Sequence, residues 1–127
     1  MTHMKIATNI ARSLLGLIFV VFGLNMILHF FKIPPPQRAL AGDFLKALFL
    51  SHFMYAVAIL EIVGGALCLI GKYVPLGLVL LGPVIVSSLL FHILMDPEGV
   101  LPALVAGVLG AFLLWDNRTA FAGLVKA

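Results

Sequence analysis

The stretch AVAILEIVGGALCLIG, residues 56–71, decides the fold, because its apolar run contains a single carboxyl group, that of Glu61. A lone acid at membrane depth is costly unless it stays neutral or finds a partner. We therefore expect Glu61 to face other helices rather than lipid. At about 100° per residue, Gly64, Gly65 and Cys68 share its side of a helix, and small residues let neighbouring backbones approach closely in lipid. The face that carries the acid is thus the predicted packing face.

The composition is typical of an integral membrane protein. Hydrophobic side chains make up 63% of the 127 residues and charged side chains only 10%, which is more apolar surface than a soluble domain of this length buries. The charged residues divide the chain into four apolar windows, each long enough to cross a bilayer as a helix. We predict an all-α, up-down four-helix bundle forming a single domain over residues 1–127. The expected helices cover about 10–31, 52–71, 75–95 and 100–116, with a short interfacial loop helix at about 38–50.

Basic residues are unevenly divided between the two ends of such a bundle. If the helices alternate, one end carries Lys5, Arg12, Lys72, Arg118 and Lys126, and the other carries Lys32, Arg38 and Lys46. Cytoplasmic loops of membrane proteins have an excess of Lys and Arg, so this distribution favours cytoplasmic N and C termini. The expected partner is the lipid bilayer. The sequence contains no nucleic-acid-binding module, so no nucleic-acid partner is expected.

The small residues predict where helices pack. In the first helix, Arg12 shares one face with two glycines, whereas Asn25 and His29, four residues apart, share nearly the opposite face. The single cysteine excludes an intramolecular disulfide and a CxxC thiol relay. The predicted packing positions are Gly16, Gly23, Gly64, Gly65 and Cys68.

The longest loop lies between the first and second helices. It opens with Pro34, Pro35 and Pro36, which favour an extended exit from the helix. Beyond the prolines, Phe44 lies on the apolar side of a short helical pattern. This segment is either an amphipathic lid on the outer leaflet or a simple spacer, and the pattern leaves both open.

The main candidate site surrounds Glu61. We place this residue near the bilayer midplane, with Asn25 and Ser88 about one turn, or roughly 5 Å, further out, so that the three could share a hydrogen-bonded site. Desolvation favours a neutral acid, which could donate to a ligand carbonyl or carry a proton. Further candidates for ligand binding or a proton relay are Ser87, His92 and His29. The alternative is structural: a protonated Glu61 that bonds across helices and holds the bundle together.

Three histidines form a second candidate group near the outer surface. His29 ends the first predicted helix, His52 begins the second and His92 lies near the end of the third. Three imidazoles in one layer could hold copper or zinc, and a pair could ligate haem. Their spacing is not a metal motif, and helix-end histidines often lie at a membrane interface, so neither metal nor haem is expected.

A resemblance to a known family runs through nearly the whole chain. It is carried by RSLLGLIFVVFGLN at 12–25, PPP at 34–36, LEIVGG at 60–65, GKYVPL at 71–76 and FH at 91–92. Together these segments resemble the DoxX family of small bacterial membrane proteins. The resemblance implies a multi-pass, four-helix protein of the bacterial inner membrane, linked with quinone-coupled sulfur oxidation or with complexes that handle oxidative or thiol stress. Relatives often have Asn where this chain has Ser87, whose hydroxyl offers fewer hydrogen bonds than an amide.

Three functions are compatible with these observations. The first is a membrane component of a redox system, in which Glu61 and Asn25 help to form a pocket for a quinone-like ligand under the loop helix. The second is a transporter or permeability path for a small solute, which with only four helices would need a homo-oligomer. The third is a non-catalytic anchor for a soluble oxidoreductase or a partner of membrane oxidoreductase subunits. The sequence does not decide whether the protein is an enzyme.

Overall fold

A computed structural model describes residues 2–126 of the chain. Within this range the protein consists of helices and contains no strand. The helices are joined by short turns, except for the loop at 29–38 between the first two. Short 3-10 turns lie at Pro97–Gly99 and Ala122–Leu124. The α-helices are α1 (Thr2–Leu28), α2 (Ala39–Leu50), α3 (Phe53–Ile70), α4 (Val74–Leu94), α5 (Val100–Asp116) and α6 (Arg118–Phe121).

Four of these helices, α1, α3, α4 and α5, are long and apolar enough to cross a membrane. Only 17% to 33% of the residues in their apolar windows are buried inside the chain, so most of these residues are at least partly exposed. Water would oppose such a surface, whereas lipid covers it without penalty. The structure thus confirms an all-α bundle with four membrane-length helices.

The first helix differs from the expected range of about 10–31. It begins at Thr2, because no Gly or Pro precedes Gly16 to interrupt it. It ends at Leu28, because His29 has a φ of 53°, a left-handed conformation that does not continue an α-helix. Helices α2 to α5 begin and end within one residue of the ranges expected for them.

Helix α3 packs most extensively against α1, and the contact is made through glycines. A Cβ built on Gly16 would lie 2.6 Å from the carbonyl oxygen of Gly65, and one built on Gly23 would lie 3.1 Å from Cβ of Glu61. Such distances leave no room for a side chain, so the two backbones touch directly at the first pair. Because early residues of α1 meet late residues of α3, these two helices run antiparallel.

A second glycine contact joins α3 to α4. A Cβ on Gly64 would lie 3.1 Å from the carbonyl oxygen of Gly77 and 2.8 Å from Cγ of Leu81. A Cβ on Gly77 would lie 3.2 Å from Sγ of Cys68. Consecutive glycines of α3 therefore face different helices, with Gly65 against α1 and Gly64 against α4.

Helix α5 packs against both α4 and α1 and completes the bundle. Its glycines accommodate large side chains of α4, since Leu89 lies next to Gly107 and Ile85 next to Gly110. The buried core between the four helices consists of Ala11, Leu15, Phe19, Cys68, Leu78, Leu81, Ile85, Ala106 and Leu113. Leu15, Cys68, Leu81 and Leu113 are fully buried, which indicates dense packing in this part of the bundle.

Helix α2 lies against α3 and α4 near the end of the bundle at which α1 finishes. Its Phe44 ring stacks on the Phe91 ring of α4, with centroids 5.5 Å apart, and its Ala41 is fully buried. Just before the helix, Arg38 Nε lies 3.4 Å from Glu98 Oε1, and both side chains are exposed. An exposed ion pair adds little stability, so α2 is held mainly by its few apolar contacts.

Candidate functional site

Glu61 faces the interior of the bundle, and only 3% of its surface is exposed. Its position on α3 follows from the helix repeat, because it lies one turn before the glycines that contact α1 and α4. Gly23 of α1 packs on its Cβ, and Ala58, one turn earlier on α3, is fully buried. The expectation that a lone acid turns away from lipid agrees with this placement.

The carboxyl group of Glu61 has an unsatisfied oxygen. Oε2 is fully buried and has no hydrogen-bond partner among residues 2–126, and within that range it is the one buried side-chain nitrogen or oxygen in this condition. Leaving a buried acceptor or donor unpaired costs about 1–3 kcal/mol. A group kept in this state at the centre of a bundle therefore indicates a partner that the polypeptide does not supply.

The sequence predicted that Glu61, Asn25 and Ser88 share a hydrogen-bonded site. Among residues 2–126 no hydrogen bond joins Glu61 to either of the other two. Asn25 is buried, but its Oδ1 accepts the backbone N–H of Phe31 at 2.9 Å and its backbone oxygen accepts that of His29 at 2.8 Å. Asn25 follows Gly23 by two residues and therefore lies about 160° around α1 from the face that meets Glu61. Its hydrogen bonds are made at the end of α1. Its role is therefore to terminate a helix.

The serines are also less central than expected. Ser88 is half-buried and Ser87 is exposed. Neither supplies the missing partner of Glu61 Oε2. The hydroxyl of Ser87 is therefore exposed on α4 and does not line the interior around the acid.

The three candidate histidines do not form a metal centre. Residues 2–126 contain no group of three or more His, Cys, Asp or Glu side chains able to hold a metal ion. His29 and His52 are exposed at helix ends with positive φ, and the His52 ring stacks on Tyr55 at 5.5 Å. His92 is engaged elsewhere, because its Nδ1 lies 3.2 Å from Asp96 Oδ2. The three imidazoles therefore have different neighbours and do not form one group.

The pair of His92 and Asp96 was not foreseen from the sequence. His92 Nδ1 also lies 3.1 Å from the backbone oxygen of Asp96, and Asp96 is buried. A Cβ on Gly99 would lie 2.8 Å from Asp96 Oδ2, so a side chain at this position would displace the Asp96 carboxylate. The i, i+4 spacing at a helix end, followed directly by Pro97, is the signal that predicts such a turn. We assign this pair to holding the α4–α5 connection.

Arg12 makes the second unforeseen contact. Its Nη1 donates to the backbone oxygens of Cys68 at 2.7 Å and Leu69 at 2.9 Å. These carbonyls belong to the last turn of α3, where no further helix N–H is available and a cation is favoured by the helix dipole. Gly71, with a φ of 85°, leaves room for the guanidinium, because a Cβ there would lie 2.7 Å from Nη1. Arg12 thus ties the start of α1 to the end of α3.

Two shallow apolar grooves lie on the bundle surface, away from Glu61. One, of about 180 Å³, runs between α4 and α5, and the other lies along α5. Glu61 lines neither of them.

The two directions along α3 differ in how tightly they are packed. Beyond Glu61 toward the end of α3, the fully buried side chains of Leu15, Leu81 and Leu113 fill the core. Toward α2, the buried residues of α3 are Ala58 and the flexible Met54. The three fully buried leucines therefore lie toward the end of α3, away from α2.

Comparison of the chain with protein-family models, curated proteins and solved structures found no match.

Proposed function

We propose that this protein is a DoxX-like membrane component of a quinone- or thiol-linked redox system. In this proposal its four helices cross the bacterial inner membrane in up-down order, with both termini in the cytoplasm. Protonated Glu61 donates a hydrogen bond to a carbonyl oxygen of a quinone-like ligand. The observation that supports the proposal is the buried, unpaired Oε2 of Glu61.

The chemistry of the surroundings favours an apolar ligand that accepts a hydrogen bond. Gly23 of α1 packs on α3 at Cβ of Glu61, where its other neighbours are Ala58 and Ile62. A neutral carboxylic acid offers one O–H donor, and in this setting the bond is satisfied only by an acceptor brought in from outside. A quinone combines a flat apolar ring with carbonyl acceptors, so it meets both requirements.

We place the entrance to the site under α2. This helix is held mainly by a few apolar contacts, chiefly the stacking of Phe44 on Phe91 and the burial of Ala41. The buried residues of α3 between its start and Glu61 are Met54 and Ala58. Helix α2 is accordingly the lid in this proposal, and its displacement admits the ligand.

A proton-coupled transporter is less well supported. A relay needs hydrogen-bonded polar groups that continue from the acid toward both membrane surfaces. Here Oε2 of Glu61 has no partner among residues 2–126, and Asn25, the nearest candidate by depth, has its Oδ1 bonded to Phe31.

The proposal is tested by quinone binding to protein in lipid nanodiscs. The probe is a short-chain ubiquinone, and the variants are Glu61→Leu, which removes the donor, and Glu61→Gln, whose amide keeps one. One hydrogen bond contributes about 0.5–1.5 kcal/mol, so we expect Glu61→Leu to weaken binding roughly threefold to tenfold and Glu61→Gln to retain more affinity. Glu98→Gln makes the same carboxyl-to-amide change at an exposed position and is the matched control. Unchanged affinity of Glu61→Leu, or no measurable binding by the wild type, would refute the proposal.

A further inference from the structure

The contacts between helices place most of the basic residues at one end of the bundle. The start of α1 meets the end of α3, because Arg12 donates to the backbone oxygen of Cys68. Helix α4 begins at the same end, since only a short turn separates it from α3. Helix α5 finishes there, because Leu114 lines the same groove as Leu78 near the start of α4. We call this the basic end, defined by Lys5, Arg12, Lys72, Arg118 and Lys126.

The two ends of the bundle differ in charge. The five cations of the basic end are opposed by one carboxylate, that of Asp116, which leaves a formal net charge of +4. The opposite end has as many anions as cations and is formally neutral; its charged residues are Lys32, Arg38, Lys46, Asp43, Asp96 and Glu98. The difference of four charges indicates a preferred electrostatic partner for the basic end alone.

The cations of the basic end are available to an outside partner. The ion pairs among residues 2–126, Arg38 with Glu98 and His92 with Asp96, both lie at the opposite end. Lys5, Lys72 and Lys126 are exposed. Only Arg12, which caps α3, is committed to the interior of the protein.

Aromatic side chains indicate that the basic end lies at the level of the lipid headgroups. Trp115 is 54% exposed and Tyr73 is 73% exposed, and such amphipathic rings prefer the membrane interface. The guanidinium of Arg118 lies over the Trp115 ring at 4.4 Å and its Nη1 donates to the Trp115 backbone oxygen at 2.9 Å. The cations next to these rings are therefore at the depth of the phosphate groups.

We propose that the basic end binds the headgroups of anionic phospholipids and selects them from a mixed bilayer. Each Lys or Arg near an anionic membrane surface is worth about a fivefold gain in association, equivalent to about 1 kcal/mol. The partner is a lipid whose phosphodiester carries a net negative charge, such as phosphatidylglycerol, rather than a zwitterionic lipid. This inference is independent of the proposed redox function, because it does not involve Glu61.

The tryptophan content of the chain provides a direct test. Trp115 is the single tryptophan, and it lies at the basic end, so quenching of its fluorescence by brominated acyl chains reports the lipids bound there. The protein is reconstituted into phosphatidylcholine vesicles containing equal fractions of either brominated phosphatidylglycerol or brominated phosphatidylcholine. We expect the anionic quencher to be enriched at Trp115 about twofold to fivefold at low salt. This preference should fall as salt shortens the Debye length from about 10 Å at 0.1 M toward 3 Å at 1 M.

Matched double variants separate a local site from a general charge effect. Lys72→Gln with Lys126→Gln should reduce the preference for the anionic quencher at least twofold, whereas Lys32→Gln with Lys46→Gln, at the opposite end, should leave it unchanged. Equal quenching of the wild type by both lipids, or the same preference in both double variants, would overturn the proposal. A stronger loss of preference in sodium phosphate than in sodium chloride of the same ionic strength would also overturn it, because it would indicate a site for free phosphate.

Discussion

Replacing Glu61 with Met should stabilise the ligand-free protein. Met has a similar length, fits irregular apolar surroundings and removes both carboxyl oxygens, including the unpaired Oε2. An unpaired buried polar group costs about 1–3 kcal/mol, and we expect the lower part of this range because an unfolded chain in a membrane also finds polar partners. The expected increase in the free energy of unfolding is therefore about 1 kcal/mol.

The assay is reversible unfolding in mixed micelles with increasing sodium dodecyl sulfate, followed by loss of helix signal. Purified protein is first washed free of bound quinone, because a ligand at Glu61 would stabilise the wild type and hide the effect. Glu98→Gln is the control for loss of a carboxylate at an exposed position and should not change the midpoint. A Glu61→Met protein that is less stable than the wild type by 1 kcal/mol or more would show that the acid holds the helices together, contrary to our reasoning.

The remaining predictions concern packing and helix ends, and the same unfolding assay checks them. Gly16→Ala should lower the free energy of unfolding by about 1–3 kcal/mol, because the added Cβ meets backbone atoms at 2.6 Å, whereas Gly82→Ala, with nothing within 4 Å, should not be destabilising. Arg12→Gln should lower it by about 1–3 kcal/mol through loss of two charged hydrogen bonds. Asn25→Leu should lower it by about 1 kcal/mol by freeing the N–H of Phe31, without weakening quinone binding. Unchanged stability of Gly16→Ala, Arg12→Gln or Asn25→Leu, or a clear destabilisation by Gly82→Ala, would contradict the corresponding contact.

Much of the architecture could be predicted from the sequence, because apolar length and helical periodicity largely determine membrane helices. The lone carboxyl group of Glu61 predicted its own inward orientation, since lipid does not tolerate a polar group. The small residues likewise predicted where backbones approach, and a Cβ on Gly16 or Gly65 would meet backbone atoms of the facing helix. Both predictions agree with the structure because each depends only on the sequence of a single helix and on the lipid that surrounds it.

The composition of the site could not be predicted in the same way. Depth in the membrane suggested that Asn25 would meet Glu61, but depth does not fix the direction in which a side chain points. Asn25 instead bonds to Phe31, a contact that depends on the left-handed turn at His29. The capping of α3 by Arg12 likewise depends on how two helices are aligned along each other, which the separate patterns of the helices do not specify.

The most direct measurement is an infrared difference spectrum of the reconstituted protein, recorded with and without short-chain ubiquinone and compared with that of Glu61→Gln. We expect a protonated carboxyl band at neutral pH that is absent from the variant. This band should shift to lower frequency when the quinone is added. A carboxylate band in its place, or a protonated band that the quinone leaves unchanged, would contradict the claim that Glu61 is the buried donor for this ligand.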